Sequence, residues 1–235
     1  EVKRYMTLWQ ATPRDFGSDC LACERDQLVD LYTLFGEPAR AVREARPLVE
    51  SRQSCSHVPQ RTYSKLTFPN WALGKHREAL EMQRRGVKAT RNGLEFLTQA
   101  GEHALFAACV GRAEEALGVL GRRVPDVERT PEESIRLEFL QNAAGAVRAL
   151  RALGHTEGEA LAAVKAPGLA PTMSLEAWEG YLTGRAEALG ARFDARAGNG
   201  YRAGRLQEAL GRAAEAPGMA AVAAGLERNP PGRGL

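Results

Sequence analysis

Four segments of this chain repeat one pattern, a glycine followed five residues later by an alanine. "LFGEPARAV", "ALGKHREAL", "CVGRAEEAL" and "RAGRLQEAL" place Gly36 before Ala41, Gly74 before Ala79, Gly111 before Ala116 and Gly204 before Ala209. A fifth, "ALGHTEGEAL", places Gly154 before Ala160, one residue further on. The first three glycines are 38 and 37 residues apart, and the later intervals stretch to 43 and 50. Glycine can end a helix in a backbone conformation that side chains resist, and alanine lets the following helix approach its neighbour closely. Each copy therefore reads as the turn of a helical hairpin. A period in the high thirties implies stacked helix pairs, each too small to bury its apolar face alone.

The rest of the chain agrees with that frame. Alternating runs of Val, Ile, Thr and aromatic residues are missing, whereas apolar residues recur at helical spacing, as Val2, Tyr5, Met6 and Trp9 do in "VKRYMTLW". The fold class expected is all-α. Helices ahead of the turns are expected over 22–35, 60–73, 94–110, 133–153 and 175–203, and helices after them over 38–51, 76–90, 112–123, 157–165 and 205–215. This divides the chain into an N-terminal helix and loop (1–21), three hairpins (22–124), two divergent hairpins (125–216) and a flexible tail (217–235). Thr130 followed by Pro131 reads as a helix cap and first helical position, and Ser174 as a second cap. "GNG" at 198–200 reads as a loosened helix or a turn.

"WALGKHREALEMQRRGVKA" and "CVGRAEEALGVL" resemble the turn and second helix of tetratricopeptide (TPR) repeats. The resemblance covers roughly residues 22–215 and is clearest in the first three units. It extends to a bacterial TPR subgroup with C-P-A-C-E, C-x-x-x-P-H-x-T-Y and G-E-H segments, matched here by Cys20, Cys23 and Glu24, by Cys55, Pro59, Thr62 and Tyr63, and by Gly101, Glu102 and His103. The chain departs from that pattern at Gln60. The resemblance implies a right-handed superhelix of antiparallel hairpins (an α-solenoid) whose concave face, lined by the first helix of each pair, binds a protein or peptide segment. Carried over position by position, the groove would present Asp26, Asp30 and Thr33, then Arg61, Ser64, Phe68 and Trp71, then Thr98 and Leu105, and finally Gln141, Arg148 and Arg151. Phe68 and Trp71 would anchor the ligand, unless Trp71 simply covers the hairpin core.

The cysteines pose a separate question. Cys20 and Cys23 stand at the start of the first hairpin, and Cys55 and His57 in the loop that leaves it. The hairpin runs out and back between them, so the two groups can converge. C-x-x-C followed by C-x-H supplies the four ligands of a tetrahedral structural zinc, Cys20, Cys23, Cys55 and His57, with His103 as a variant fourth ligand. Three other readings remain open: a disulfide of Cys55 with Cys20 or Cys23, redox chemistry at Cys20 and Cys23, and thiols that only pack. Cys109 reads as a small core residue and His103 as a hydrogen-bonded core histidine, while His76 and His155 read as surface residues near helix starts.

No apolar run approaches the ~18 to 20 residues that cross a bilayer, so no membrane association is expected. The formal charge of +3 is spread among nearly equal numbers of acids and bases, which argues against nucleic acid as the partner. The rival function is nevertheless a nucleic-acid-binding repeat using Arg148 and Arg151, and a third is a helical regulatory domain of a larger protein, since the chain starts at Glu1 as a fragment would. Four cysteines are far fewer than a disulfide scaffold carries, which points to the cytoplasm. No nucleophile elbow, phosphate loop or H-E-x-x-H motif occurs, so the expectation is a non-enzymatic adaptor.

Overall fold

A computed structural model describes residues 2–156 and 174–228. Among these residues the structure is helical and contains no extended strand. The helices are α1 (Val2–Ala11), α2 (Leu21–Leu34), α3 (Pro38–Val49), α4 (Gln60–Lys65), α5 (Thr67–Ala72), α6 (His76–Ala89), α7 (Leu97–Cys109), α8 (Ala113–Arg123), α9 (Asp126–Arg129), α10 (Glu133–Ala152), α11 (Leu175–Ala197), α12 (Tyr201–Gly211) and α13 (Ala216–Arg228). The helix expected over 157–165 lies outside the described residues.

The glycine turns form where the repeat placed them. Gly36, Gly74, Gly111 and Gly154 all take positive φ, between 68° and 86°, and in the first three units the alanine five residues on is fully buried. The resulting pairs α2–α3, α5–α6 and α7–α8 pack along one another. Gly204 behaves differently: it lies inside α12, and the turn is taken earlier, at Gly198 with φ 65°. Asp194 explains the shift, because its carboxylate accepts the backbone N–H groups of Arg202 and Ala203 at 2.8 and 2.9 Å, holding the first turn of α12. The "GNG" segment is therefore the turn, and α11 stops at Ala197 rather than 203.

Three further expectations are corrected. Thr130 does not cap α10; its hydroxyl donates back to the Asp126 carbonyl at 2.8 Å at the end of α9, and α10 begins at Glu133. The helix expected over 60–73 is broken at Leu66 into α4 and α5, because Pro69 has no N–H to offer the carbonyl four residues back. The tail expected to be flexible from 217 forms α13, whose Ala216, Met219 and Ala223 are buried against the main core.

That core centres on α7 and α10, which cross with small residues at the contact. Phe106, Phe139, Leu137, Leu140, Leu150, Leu175 and Trp178 are buried there, between alanines on both helices. Gly145 brings α10 against α12 so closely that a Cβ at this position would stand 2.4 Å from the Ala209 carbonyl oxygen. A second cluster, with Val29, Tyr32, Ala41, Ala45, Tyr63, Leu66 and Met82, joins the first two hairpins. Ala22, Leu48 and Val58 make a third, small cluster, on which Cys23 and Cys55 rest.

Candidate functional site

Helices α2, α4, α5, α7, α10 and α12 enclose a groove of about 670 Å³. Seven of the residues expected on the concave face line it: Asp30, Thr33, Ser64, Phe68, Thr98, Leu105 and Gln141. They arrive from four successive units because each sits on the first helix of its hairpin, at positions that share one face by helical spacing.

The other expected residues lie elsewhere. Asp26 is buried behind the wall, where it accepts the Thr62 hydroxyl at 2.6 Å and pairs with Lys65 at 2.7 Å. Trp71 packs edge-on against Phe106 and beside the His76 ring, so it covers the core. Arg61 is not among the lining residues. Arg148 Nε and Arg151 Nη1 each sit 2.7 Å from the Glu179 carboxylate, on the side where α10 meets α11. Arg151 Nη2 also lies 3.3 Å from Glu176, so two carboxylates face the two guanidinium groups. Phe68 does line the groove, with the Arg212 guanidinium 4.4 Å above its ring.

The groove is polar and mixed in charge. Lys65, almost fully buried, bridges Asp26 and Asp30; burial alone would depress its pKa, but the Asp30 and Asp26 carboxylates more than compensate and hold it above its ordinary value. Arg202 pairs with Glu138 at 2.9 Å, and Arg205 with Glu208. On the floor, the Glu102 carboxylate accepts the Ser64 hydroxyl at 2.5 Å, and burial pushes its pKa up to about 7. The Gln99 side-chain oxygen, one helical turn away, is buried without a hydrogen-bond partner. Leu34, at the end of α2, and Tyr201, at the start of α12, line the groove while more than half exposed, with the Arg202 guanidinium 5.5 Å from the Tyr201 ring centre. Sequence reading missed both. Leu34 ends α2 one residue past the expected groove positions, and Tyr201 was placed within a longer α11.

Behind the floor, His103 is fully buried and neutral, its pKa lowered to about 3 by desolvation. Its Nδ1 lies 2.7 Å from Gln83 Oε1, while Gln83 Nε2 donates to the His103 carbonyl at 2.9 Å and to Glu115 at 2.8 Å. Its other nitrogen stands where a side chain on Gly86 would be, 2.0 Å from a Cβ there. His103 is a core residue and is not a partner of the cysteines.

At the edge of the first hairpin the sulfurs of Cys20, Cys23 and Cys55 lie within 4.8 Å of one another, with Cys23 and Cys55 at 3.5 Å. All four cysteines are free thiols, and Cys109 is buried in the core. Cys20 is the N-cap of α2, its sulfur accepting the Cys23 N–H at 3.3 Å. The out-and-back path of α2 and α3 returns the 54–59 loop to this end, where Val58 packs against Ala22 and Leu48. Burial, with the neighbouring thiols, raises the Cys23 pKa to about 12. For Cys55, burial acts in the same direction but the backbone groups of His57 and Val58 and the facing thiols prevail, and its pKa falls below the ordinary value. His57 does not join the sulfurs. Its Nδ1 is 3.2 Å from the Ser56 hydroxyl, and its ring meets Phe96 edge-on at 6.0 Å between centroids.

The cluster suits a thiophilic cation. Zinc–sulfur bonds of about 2.3 Å at tetrahedral angles set sulfurs about 3.8 Å apart, close to the 3.5 Å between Cys23 and Cys55. No family model, curated protein or solved structure matches this chain.

Proposed function

We propose that the chain is a non-enzymatic scaffold, a TPR-like solenoid of stacked hairpins that binds a segment of another protein in its groove. One observation carries the reading: residues from the first helices of successive units line a single open groove in which two large side chains, Leu34 and Tyr201, stay more than half exposed. An extended peptide fits such a surface, with its apolar side chains on Leu34, Phe68 and Tyr201 and its backbone near the polar floor at Ser64, Gln99 and Glu102. The pairing of Arg148 and Arg151 with Glu179 weighs against the nucleic-acid alternative, since phosphate binding would have to displace a carboxylate from each.

The zinc assignment is narrowed to Cys20, Cys23 and Cys55. A structural zinc there ties the start of α2 to the loop leading into the second hairpin and so fixes the angle between two groove walls. Free thiols at these distances accord with a reducing, cytoplasmic setting.

The test is selection from a random peptide library displayed on phage, followed by affinity measurement on synthetic binders. Leu34→Asp and Tyr201→Ala are expected to weaken the selected peptides at least tenfold, whereas Gly184→Ala, on open helix surface, leaves them unchanged. Undiminished binding to both groove variants would overturn the assignment.

A further inference from the structure

We infer that the three-sulfur site holds its ion with an open fourth position, which takes a neutral donor from solution, and that His57 is not a ligand. This rests on the metal reading of the cluster and goes beyond it, because a purely structural zinc site is closed by four protein ligands.

Among the described residues, only Cys20, Cys23 and Cys55 bring ligand atoms together here. The groups that could supply a fourth are otherwise engaged. His57 is turned toward Ser56 and Phe96. Glu24 is paired with Arg14, which also donates to the Asp19 backbone carbonyl, and the Asp19 carboxylate faces the Gln27 amide at 3.4 Å. Cys23 and Cys55 lean on the apolar cluster, whereas Cys20 is exposed. Solvent therefore reaches the triad from the Cys20 side.

Charge selects the class of ligand. Three thiolates around a divalent cation carry a net charge of −1, and a neutral donor, water or an imidazole nitrogen, completes the tetrahedron without adding to it. An open position also exposes the ion to competing chelators. The clasp between the first two hairpins would then load and unload with available metal instead of holding it permanently.

The experiment uses the full chain, reduced and metal-free, titrated with Co²⁺ as a spectroscopic stand-in for zinc. One ion per chain is expected, with a sulfur-to-cobalt charge-transfer band of equal intensity in the wild type and in His57→Ala. Cys20→Ser should reduce that band by about a third or abolish binding; serine retains the helix cap, and unchanged far-ultraviolet circular dichroism checks the fold. Imidazole should shift the visible d–d bands saturably in both the wild type and His57→Ala. Failure of imidazole to shift them, or a His57→Ala spectrum that has lost a ligand, overturns the open position and leaves the metal reading standing. Absence of any charge-transfer band overturns both.

Discussion

Replacing Gly145 by alanine tests how closely α10 and α12 approach, and hence what sets one wall of the groove. The added Cβ would lie 2.4 Å from the Ala209 carbonyl oxygen, 2.8 Å from its carbonyl carbon and 3.1 Å from Leu105 Cδ1. Carbon–oxygen contacts settle near 3.3 Å or more, so α12 has to retreat by about 1 Å. The obstacle is main chain, which cannot rotate aside. A gap of that size forfeits a quarter to a half of each contact made by Leu206, Ala209, Leu210 and Ala213, all buried at this junction. Overpacking of this kind costs about 1–3 kcal/mol, and a backbone clash belongs at the upper end. Alanine returns about 1 kcal/mol of helix propensity, leaving a net loss of about 2 kcal/mol. Gly184 is the control: it lies exposed within α11 with nothing within 4 Å of its Cβ position, and Gly184→Ala should gain about 1 kcal/mol. Urea denaturation followed by circular dichroism reads both, provided the slopes match. A Gly145→Ala midpoint at or above wild type would refute the helix contact described.

Three other perturbations follow from the site. Lys65→Met strands the buried Asp26 carboxylate and should cost about 3 kcal/mol in urea denaturation, largely recovered by adding Asp26→Asn; an unaffected single variant would contradict the buried bridge. Burial raises the Glu102 pKa from 4.5 to about 7, so its contribution to stability is fully present below pH 4.5 and is lost as pH rises through 7. Glu102→Gln should flatten that slope and raise stability at pH 8 by up to about 3 kcal/mol, and a slope equal to wild type would exclude the burial argument. Gly86→Ala drives a methyl group into His103, which Gln83 holds in place, and should lower the melting temperature markedly. A melting temperature within a degree of wild type would show that His103 is free to move.

The hairpin turns were legible because a positive-φ glycine and a buried alanine are both local demands, readable at fixed spacing. Gly36 and Ala41 illustrate this, since each meets its requirement inside one turn. Gly204 carries the same local signal but yields to a stronger one upstream, where Gly198 and Asp194 build the turn first. Of the groove positions that the TPR resemblance implied, Ser64 and Gln141 lined the groove. Trp71 and Arg148 did not, because their orientation depends on which neighbour is nearer, Phe106 in one case and Glu179 in the other. The cysteines converge as the hairpin path required. His57, only two residues from Cys55, turns away because Ser56 and Phe96 offer its ring other contacts. That choice belongs to tertiary packing, and sequence spacing does not encode it.

Ligand is proposed to lie along the groove formed by the first helices of four hairpins together with α12. Hydrogen–deuterium exchange of the full chain, with and without a library-selected peptide, addresses this placement directly. Added protection is expected in α2, α4, α5, α7, α10 and α12, concentrated at 30–34, 64–69, 98–105, 138–142 and 201–212, with α3, α6 and α8 unchanged. Protection confined to α3, α6 and α8, or centred on Arg148 and Arg151, would contradict it.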